Sequence, residues 1–254
     1  RNLRLRAVLC QFVAKWSSNS LKIHSPHCYP MPYSSDITLW ARRFADLEGF
    51  AVLDSRKRDN DSGRYDIITA LPDRYFNVTD FGGDAAHWIA AIEADLNASP
   101  VESSRIAIGF LDFETAAANT LNVPGEPLQP ATAGIYSWYV LQDHSEETAW
   151  LVQDPCISAQ TSTEVRRRMV APENKNEFKY HIDQEFKADI SKESYISMVA
   201  KVRALIAAGD CYQANIAQRF QCSYSGSEYG IYETLRDVAP GDYAAFLKLG
   251  SNHA

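Results

Sequence analysis

The sequence predicts an α+β protein built on antiparallel and mixed sheets flanked by helices. Three observations carry that expectation. Short apolar segments of strand length are interspersed with segments of helical period along most of the chain. Two pairs of the apolar segments are joined by brief polar stretches, 56–62 and 143–147, the pattern of antiparallel neighbours rather than of long crossovers. No internal repeat or low-complexity run interrupts the pattern.

The elements follow in order. Ser34, Ser35 and Asp36 offer caps for a helix carrying Leu39, Phe44 and Leu47, which Gly49 ends. Residues 50–55 are a short apolar strand. Residues 64–71 are rich in β-formers and stop at Pro72, so the two pair as antiparallel strands. Residues 85–96 set Trp88, Ile89, Ile92 and Leu96 on one face and read as a helix. Residues 105–111 have the composition of a buried strand. Residues 119–132, punctuated by Pro124, Gly125, Pro127 and Pro130, read as loop. Residues 133–142 and 148–153 read as a hairpin around 143–147.

Residues 161–169 are helical in pattern, and 170–179 form a polar connection. From Ser191 the clearest helix begins, with Tyr195, Met198, Val199, Val202, Leu205 and Ile206 as its apolar stripe. Gly209 stands where a left-handed residue closes such a helix. A strand over 211–222, a helix over 228–238 and a strand over 243–249 complete the pattern.

Composition excludes several classes. The net charge of −7 argues against non-specific nucleic-acid binding, which needs a positive field. No apolar run approaches the roughly 20 residues of a membrane span. The five cysteines, Cys10, Cys28, Cys156, Cys211 and Cys222, form no C-x-x-C pair and read as reduced thiols of a cytoplasmic protein. The six histidines, His24, His27, His87, His144, His181 and His253, show no metal-ligand spacing and read as solvated or structural. Arg1, Arg4, Arg6, Lys15 and Lys22 make the first stretch basic and free of acids. A targeting segment and an upstream tag or fragment both fit it.

Four blocks carry a resemblance to a known family. They are Leu53-Asp-Ser55; Gly63-Arg-Tyr-Asp-Ile67 with Ala70-Leu-Pro72; Ala133-Gly-Ile-Tyr-Ser-Trp138 with Asp143-His144; and Gly209-Asp-Cys-Tyr-Gln-Ala-Asn-Ile-Ala-Gln-Arg-Phe220. Together they resemble the N-terminal part of the chorismate-utilising enzymes, in particular component I of aminodeoxychorismate synthase and of anthranilate synthase. Residues 105–109 and 110–114 depart from the family's usual glycine-pair and aromatic-Asp patterns. The resemblance implies a four-layer α/β sandwich, incomplete here. It divides the chain into an extension (1–28), an N-terminal domain (29–170), a linker (171–190) and the beginning of a chorismate-binding catalytic domain (191–254). It also places the strand after Gly241 at an open edge, from which poor solubility of the isolated chain is expected.

What the resemblance implies about chemistry is specific. Family enzymes take chorismate, Mg²⁺ and ammonia delivered by a glutamine amidotransferase partner. The aminodeoxychorismate branch replaces the C4 hydroxyl with an amine, through a lysine nucleophile in a Pro-Ile-Lys-Gly-Thr-type motif. That motif, the acid-rich metal-binding helix and the Gly-Ala-Pro-Lys-type loop do not occur in the sequence, and the family carries them beyond the position of Ala254. Turnover by this chain alone is therefore not expected.

Gln213 falls where the water-adding relatives carry a water-activating lysine. A glutamine has no proton to exchange near neutral pH, so its presence points to the ammonia-using branch. Packing on a buried strand is the plainer role for it. Asp210 and Asn215 suit turn and strand hydrogen bonds. The resemblance also implies a tryptophan site lined by Ser55, Ser62, Gly63, Arg64 and Tyr65, with Asp242, Tyr243 and Ala244 opposite. The second segment lacks the family's usual proline, and simple packing of two sheets is the alternative. Anthranilate synthase component I and a non-catalytic tryptophan-binding or partner-docking domain are the competing functions.

Overall fold

The computed structural model describes residues 2–5, 11–12, 27–55, 63–98, 103–112, 130–171 and 178–250. The expected loops over 56–62 and most of 119–132 lie outside the described residues. The mixture of helices with antiparallel sheets bears out the α+β class. The chain divides into two compact units, Arg1–Ala7 with Glu177–Ile231, and Val8–Asn176 with Tyr232–Ala254.

The larger unit contains two sheets. A six-stranded antiparallel sheet runs β14 (Ala244–Leu247), β4 (Ala51–Asp54), β5 (Tyr65–Thr69), β9 (Trp138–Asp143), β10 (Thr148–Gln153), β3 (Cys28–Met31). A four-stranded sheet runs β2 (Gln11–Phe12), β7 (Ile106–Leu111), β8 (Thr132–Tyr136), β6 (Arg74–Asn77). Alternate side chains of a strand point to opposite faces, and the registers assign those faces. Ala51, Ile67, Leu141 and Val152 of the first sheet form one buried cluster with Ile106, Ile108, Phe110 and Tyr136 of the second. The second sheet's other face packs Ala107, Ala133 and Ile135 against Trp88 and Ile92 of α2 (Ala85–Asn97). On the first sheet's other face, Trp138 meets Phe44, whose ring centroid is 4.9 Å away. Helix α2, the second sheet, the first sheet and the turns around Phe44 therefore follow one another inside this unit.

Local chemistry fixes the pieces. Asp84 caps α2, its side chain accepting from the N–H groups of Ala86 and His87 at 2.9 and 3.0 Å. Ser158 caps α3 (Ala159–Val170) through the Thr161 N–H at 3.0 Å. Two sequence expectations are corrected here. The first helix, α1, spans only Thr38–Ala41; hydrogen-bonded turns follow and carry the buried Phe44 inward. The apolar run 133–142 is not one strand. It bends at Ser137, so β8 lies in one sheet and β9 in the other. Ser137 is buried; its hydroxyl donates to Asp73 at 3.0 Å and its carbonyl accepts the Asp154 N–H at 2.7 Å. Those bonds satisfy the backbone where the ladder breaks.

In the smaller unit, β13 (Phe220–Gly226) pairs antiparallel with β1 (Asn2–Leu5), β11 (Tyr180–Ile182) and β12 (Lys187–Ala188). Helix α4 (Lys192–Ala208) starts at Ser191, whose hydroxyl accepts the Ser194 N–H at 3.1 Å. It ends as expected at Gly209, in left-handed backbone with φ of 84°. The Gly209 and Asp210 N–H groups bond back to Ile206 and Leu205 at 3.1 and 3.0 Å. None of its residues is buried, and Met198 and Ile206 of the stripe are 40% and 41% exposed, so the apolar stripe is not packed as its pattern suggests. The strand expected over 211–222 begins only at Phe220, where Leu5 and Ala188 supply backbone partners. Helix α5 (Glu228–Val238) begins in this unit and from Tyr232 belongs to the larger one.

Candidate functional site

The sequence-predicted binding residues of the larger unit meet at one end of the β4–β5–β14 ladder. Ala244 faces Asp54 across the β14–β4 ladder, so Asp242, Tyr243 and Ala244 come up beside Ser55. Ser55 is buried. Its N–H donates to Asp66 Oδ1 at 2.7 Å and its hydroxyl to the Tyr65 carbonyl at 3.2 Å. Gly63 is buried in left-handed backbone, with φ of 82°, a conformation that a side chain would strain. Tyr243 is 75% exposed. Ser62 lies outside the described residues.

Arg64 is used elsewhere. Its guanidinium forks onto Asp143 at 2.9 and 2.6 Å and lies over the Tyr65 ring, 4.9 Å from the centroid. Burial alone would raise the Asp143 carboxyl. Arg64 and the N–H groups of Glu146 and Ser145 more than offset that and hold it below its ordinary value. The Arg64 guanidinium is raised in turn by its bonds to Asp143.

Behind Ser55 stands a buried polar row that the sequence reading did not identify. Leu53 faces Ile67, so Asp54 and Asp66 come next in the same register, and Asp66 faces Gln142 on β9. Asp54, Asp66 and Gln142 are 2%, 0% and 0% exposed, far below what lone carboxylates tolerate. Each acid has its partner. Asp54 is bonded by Arg236 and by the Tyr232 hydroxyl at 3.1 Å, both from α5. Arg236 also reaches Asp36 at 3.1 Å. Burial works against the Arg236 charge, but Asp54 and Asp36 raise it beyond its ordinary value. Burial first, then the Asp54 charge, pushes the Tyr232 hydroxyl well up, so it stays a donor. His144 stands 2.8 Å from Asp66 by its Nε2, and its Nδ1 is 2.9 Å from the Tyr33 hydroxyl. A signal for this row was present: an aspartate inside the otherwise apolar strand Tyr65-Asp-Ile-Ile-Thr69.

In the smaller unit, Gln213 lies in exposed, unpaired chain just beyond the Gly209 cap, and so does Asn215. Tyr212 is fully exposed. Packing on a buried strand is thus not the role of Gln213 here. Among the described residues, no group of three or more His, Cys, Asp or Glu side chains stands where a metal ion could be held. No helix among them is long and apolar enough to cross a membrane.

The chain belongs to the chorismate binding enzyme family, whose sequence profile matches residues 51–254. It is similar to aminodeoxychorismate synthase component 1 of Escherichia coli, 27% identical over 122 residues, covering 48% of this chain and 26% of that protein. The Bacillus subtilis protein of the same name is 27% identical over 173 residues, 63% of this chain and 37% of its own length. Anthranilate synthase component 1 of Lactococcus lactis is 24% identical over 236 residues, 80% of this chain and 50% of that one. A crystal structure of anthranilate synthase component I from Streptococcus pneumoniae matches with a TM-score of 0.46 and 18% identity, over 90% of this chain and 50% of that one. The chain thus spans half or less of the length of these relatives.

Proposed function

We propose that this chain is part of component I of an aminodeoxychorismate synthase, which replaces the C4 hydroxyl of chorismate with an amine for 4-aminobenzoate and folate synthesis. The observation that carries the reading is Gln213, an exposed amide in the segment after the Gly209 cap, at the position where the resemblance implies a water-activating lysine in the water-adding relatives. An amide orients a ligand by hydrogen bonds but removes no proton from water. The relatives named aminodeoxychorismate synthase support this branch. The long match to the Lactococcus anthranilate synthase supports a second reading, anthranilate formation.

In this proposal ammonia comes from a glutamine amidotransferase subunit, and Mg²⁺ belongs to the reaction. The described residues do not fit a Mg²⁺ site, so no step is assigned to the metal here. The test is turnover of chorismate by the product of the whole coding region, with Mg²⁺ and ammonium, the products separated by chromatography. 4-Amino-4-deoxychorismate is expected. Anthranilate would overturn the branch, and isochorismate or unchanged chorismate would overturn both readings. Residues 1–254 alone are expected to leave chorismate unchanged.

We also propose that Ser55, Gly63 and Tyr65, with Asp242, Tyr243 and Ala244, form a site for free tryptophan; Ser62 and Arg64 belong to the same expected set. The alignment of Ser55 beside Ala244 supports it. Titration calorimetry with L-tryptophan tests it, and absence of binding refutes it.

A further inference from the structure

We infer that His144 is a positioning residue for Ser55, acting through Asp66. The functional consequence rests on the ligand-site reading above; the positioning itself does not. β4 pairs with β5 only as far as Leu53 and Ile67. One residue past β4, the Ser55 N–H is held by a side chain, Asp66 Oδ1, at 2.7 Å. Ser55 is therefore held at its backbone N–H by the Asp66 carboxylate and at its hydroxyl by the Tyr65 carbonyl.

That carboxylate has a fixed orientation only if its other oxygen is held. Asp66 Oδ2 is buried 2.8 Å from His144 Nε2; the ring N–H is not aimed along that line, so the two atoms are in close polar contact, and among the described residues neither makes a hydrogen bond. The base of the neighbouring Asp54, Arg236, is engaged by Asp54 and Asp36. His144 is in turn fixed by its backbone N–H on the Arg64 carbonyl at 2.9 Å and by Tyr33 at Nδ1. With its proton on Nε2, His144 accepts from the Tyr33 hydroxyl at Nδ1 and sets an N–H beside Asp66 Oδ2, where a small ring rotation completes the bond. The result is a continuous run, Tyr33 to His144 to Asp66 to Ser55, that ends on a backbone amide of the proposed ligand site. A buried carboxylate left half-bonded pays a desolvation penalty and seeks another partner; here that movement would carry Ser55 with it.

The experiment measures residue-level amide hydrogen exchange and tryptophan affinity for the wild-type chain, His144→Phe, His144→Gln and Tyr33→Phe. The Ile108 amide, in the second sheet, reports on global stability. Expected are Ser55 exchange at least about tenfold faster in His144→Phe at unchanged Ile108 exchange, recovery in His144→Gln, whose amide can donate to Asp66, and a smaller change in Tyr33→Phe. Tryptophan affinity should fall about fivefold or more in His144→Phe and recover in His144→Gln. Equal acceleration at Ser55 and Ile108 in His144→Phe, with no recovery in His144→Gln, overturns the inference, as does unchanged Ser55 exchange. If the wild type binds no tryptophan while Ser55 exchange responds, the ligand reading fails and the positioning stands.

Discussion

Arg236→Met removes a guanidinium from the buried face of the six-stranded sheet and leaves Asp54 there. Asp54 is 2% exposed, and its contacts among the described residues are Arg236 and the Tyr232 hydroxyl. Breaking one side of such a pair typically costs about 3–5 kcal/mol, because the remaining charge is neither hydrated nor matched. For a unit of this size that corresponds to a melting point lowered by about 6–20 °C. Tyr232 still donates one bond, which favours the lower half of the range. Asp54→Asn combined with Arg236→Met removes both charges and should recover most of the loss. Asp36→Asn breaks only the outer contact, to a carboxylate 51% exposed, and should cost under about 1 kcal/mol. The assay is urea unfolding followed by tryptophan fluorescence, with Trp138 buried in the same unit. Arg236→Met within about 1 kcal/mol of wild type, or a double variant no better than the single one, would refute the assignment of this pair as the neutraliser of Asp54.

Phe44→Ala removes the ring that packs on Trp138 and should lower stability by about 3–5 kcal/mol in the same unfolding assay. Gly209→Ala meets no neighbouring atom but keeps a left-handed backbone, so a loss of about 1 kcal/mol is expected by thermal melting. Gly226→Ala should cost more, since its Cβ would stand 2.4 Å from the Lys179 carbonyl oxygen. Glu164 is held down to about 2 by Arg167 and Arg168. A lowered carboxylate stabilises above its ordinary value of 4.5 and loses that contribution as pH falls toward about 2. The stability difference between wild type and Glu164→Gln should therefore be full near neutral pH and vanish toward about pH 2, read by melting across a pH series.

Much of the fold was legible because the chain obeys local rules. The Gly209 stop, the 85–96 helix and the paired strands around 56–62 follow from period, caps and turn residues. The bend at Ser137 was not legible, since Ala133-Gly-Ile-Tyr-Ser-Trp138 alternates like one strand and only distant groups, Asp73 and Asp154, complete the break. The stripe of α4 shows the opposite limit: period reveals an apolar face but not what covers it. At the candidate site, Ser55 and Ala244 were named from resemblance, and the ladder does bring them together. Arg64 was named with them, yet its charge is held by Asp143. His144 was read only as a block residue and as solvated or structural, and Arg236 was not singled out, because their value lies in buried partners contributed by other elements.

The pairing of β14 with β4 has a consequence for how the protein is made. Phe246 must find Val52 across the whole intervening sequence, including the stretch that forms the smaller unit. On the ribosome, β4 emerges early and waits with one edge unpaired until the far segment is synthesised. Closing so distant a ladder costs somewhat more loop-closure entropy than a local hairpin, and contacts this far apart in sequence form slowly. The sheet is finished late, and its half-built form is the state in which this chain is open to intermolecular strand pairing. A chaperone that shields Ala51–Asp54 during synthesis should raise the folded yield more than one added after release.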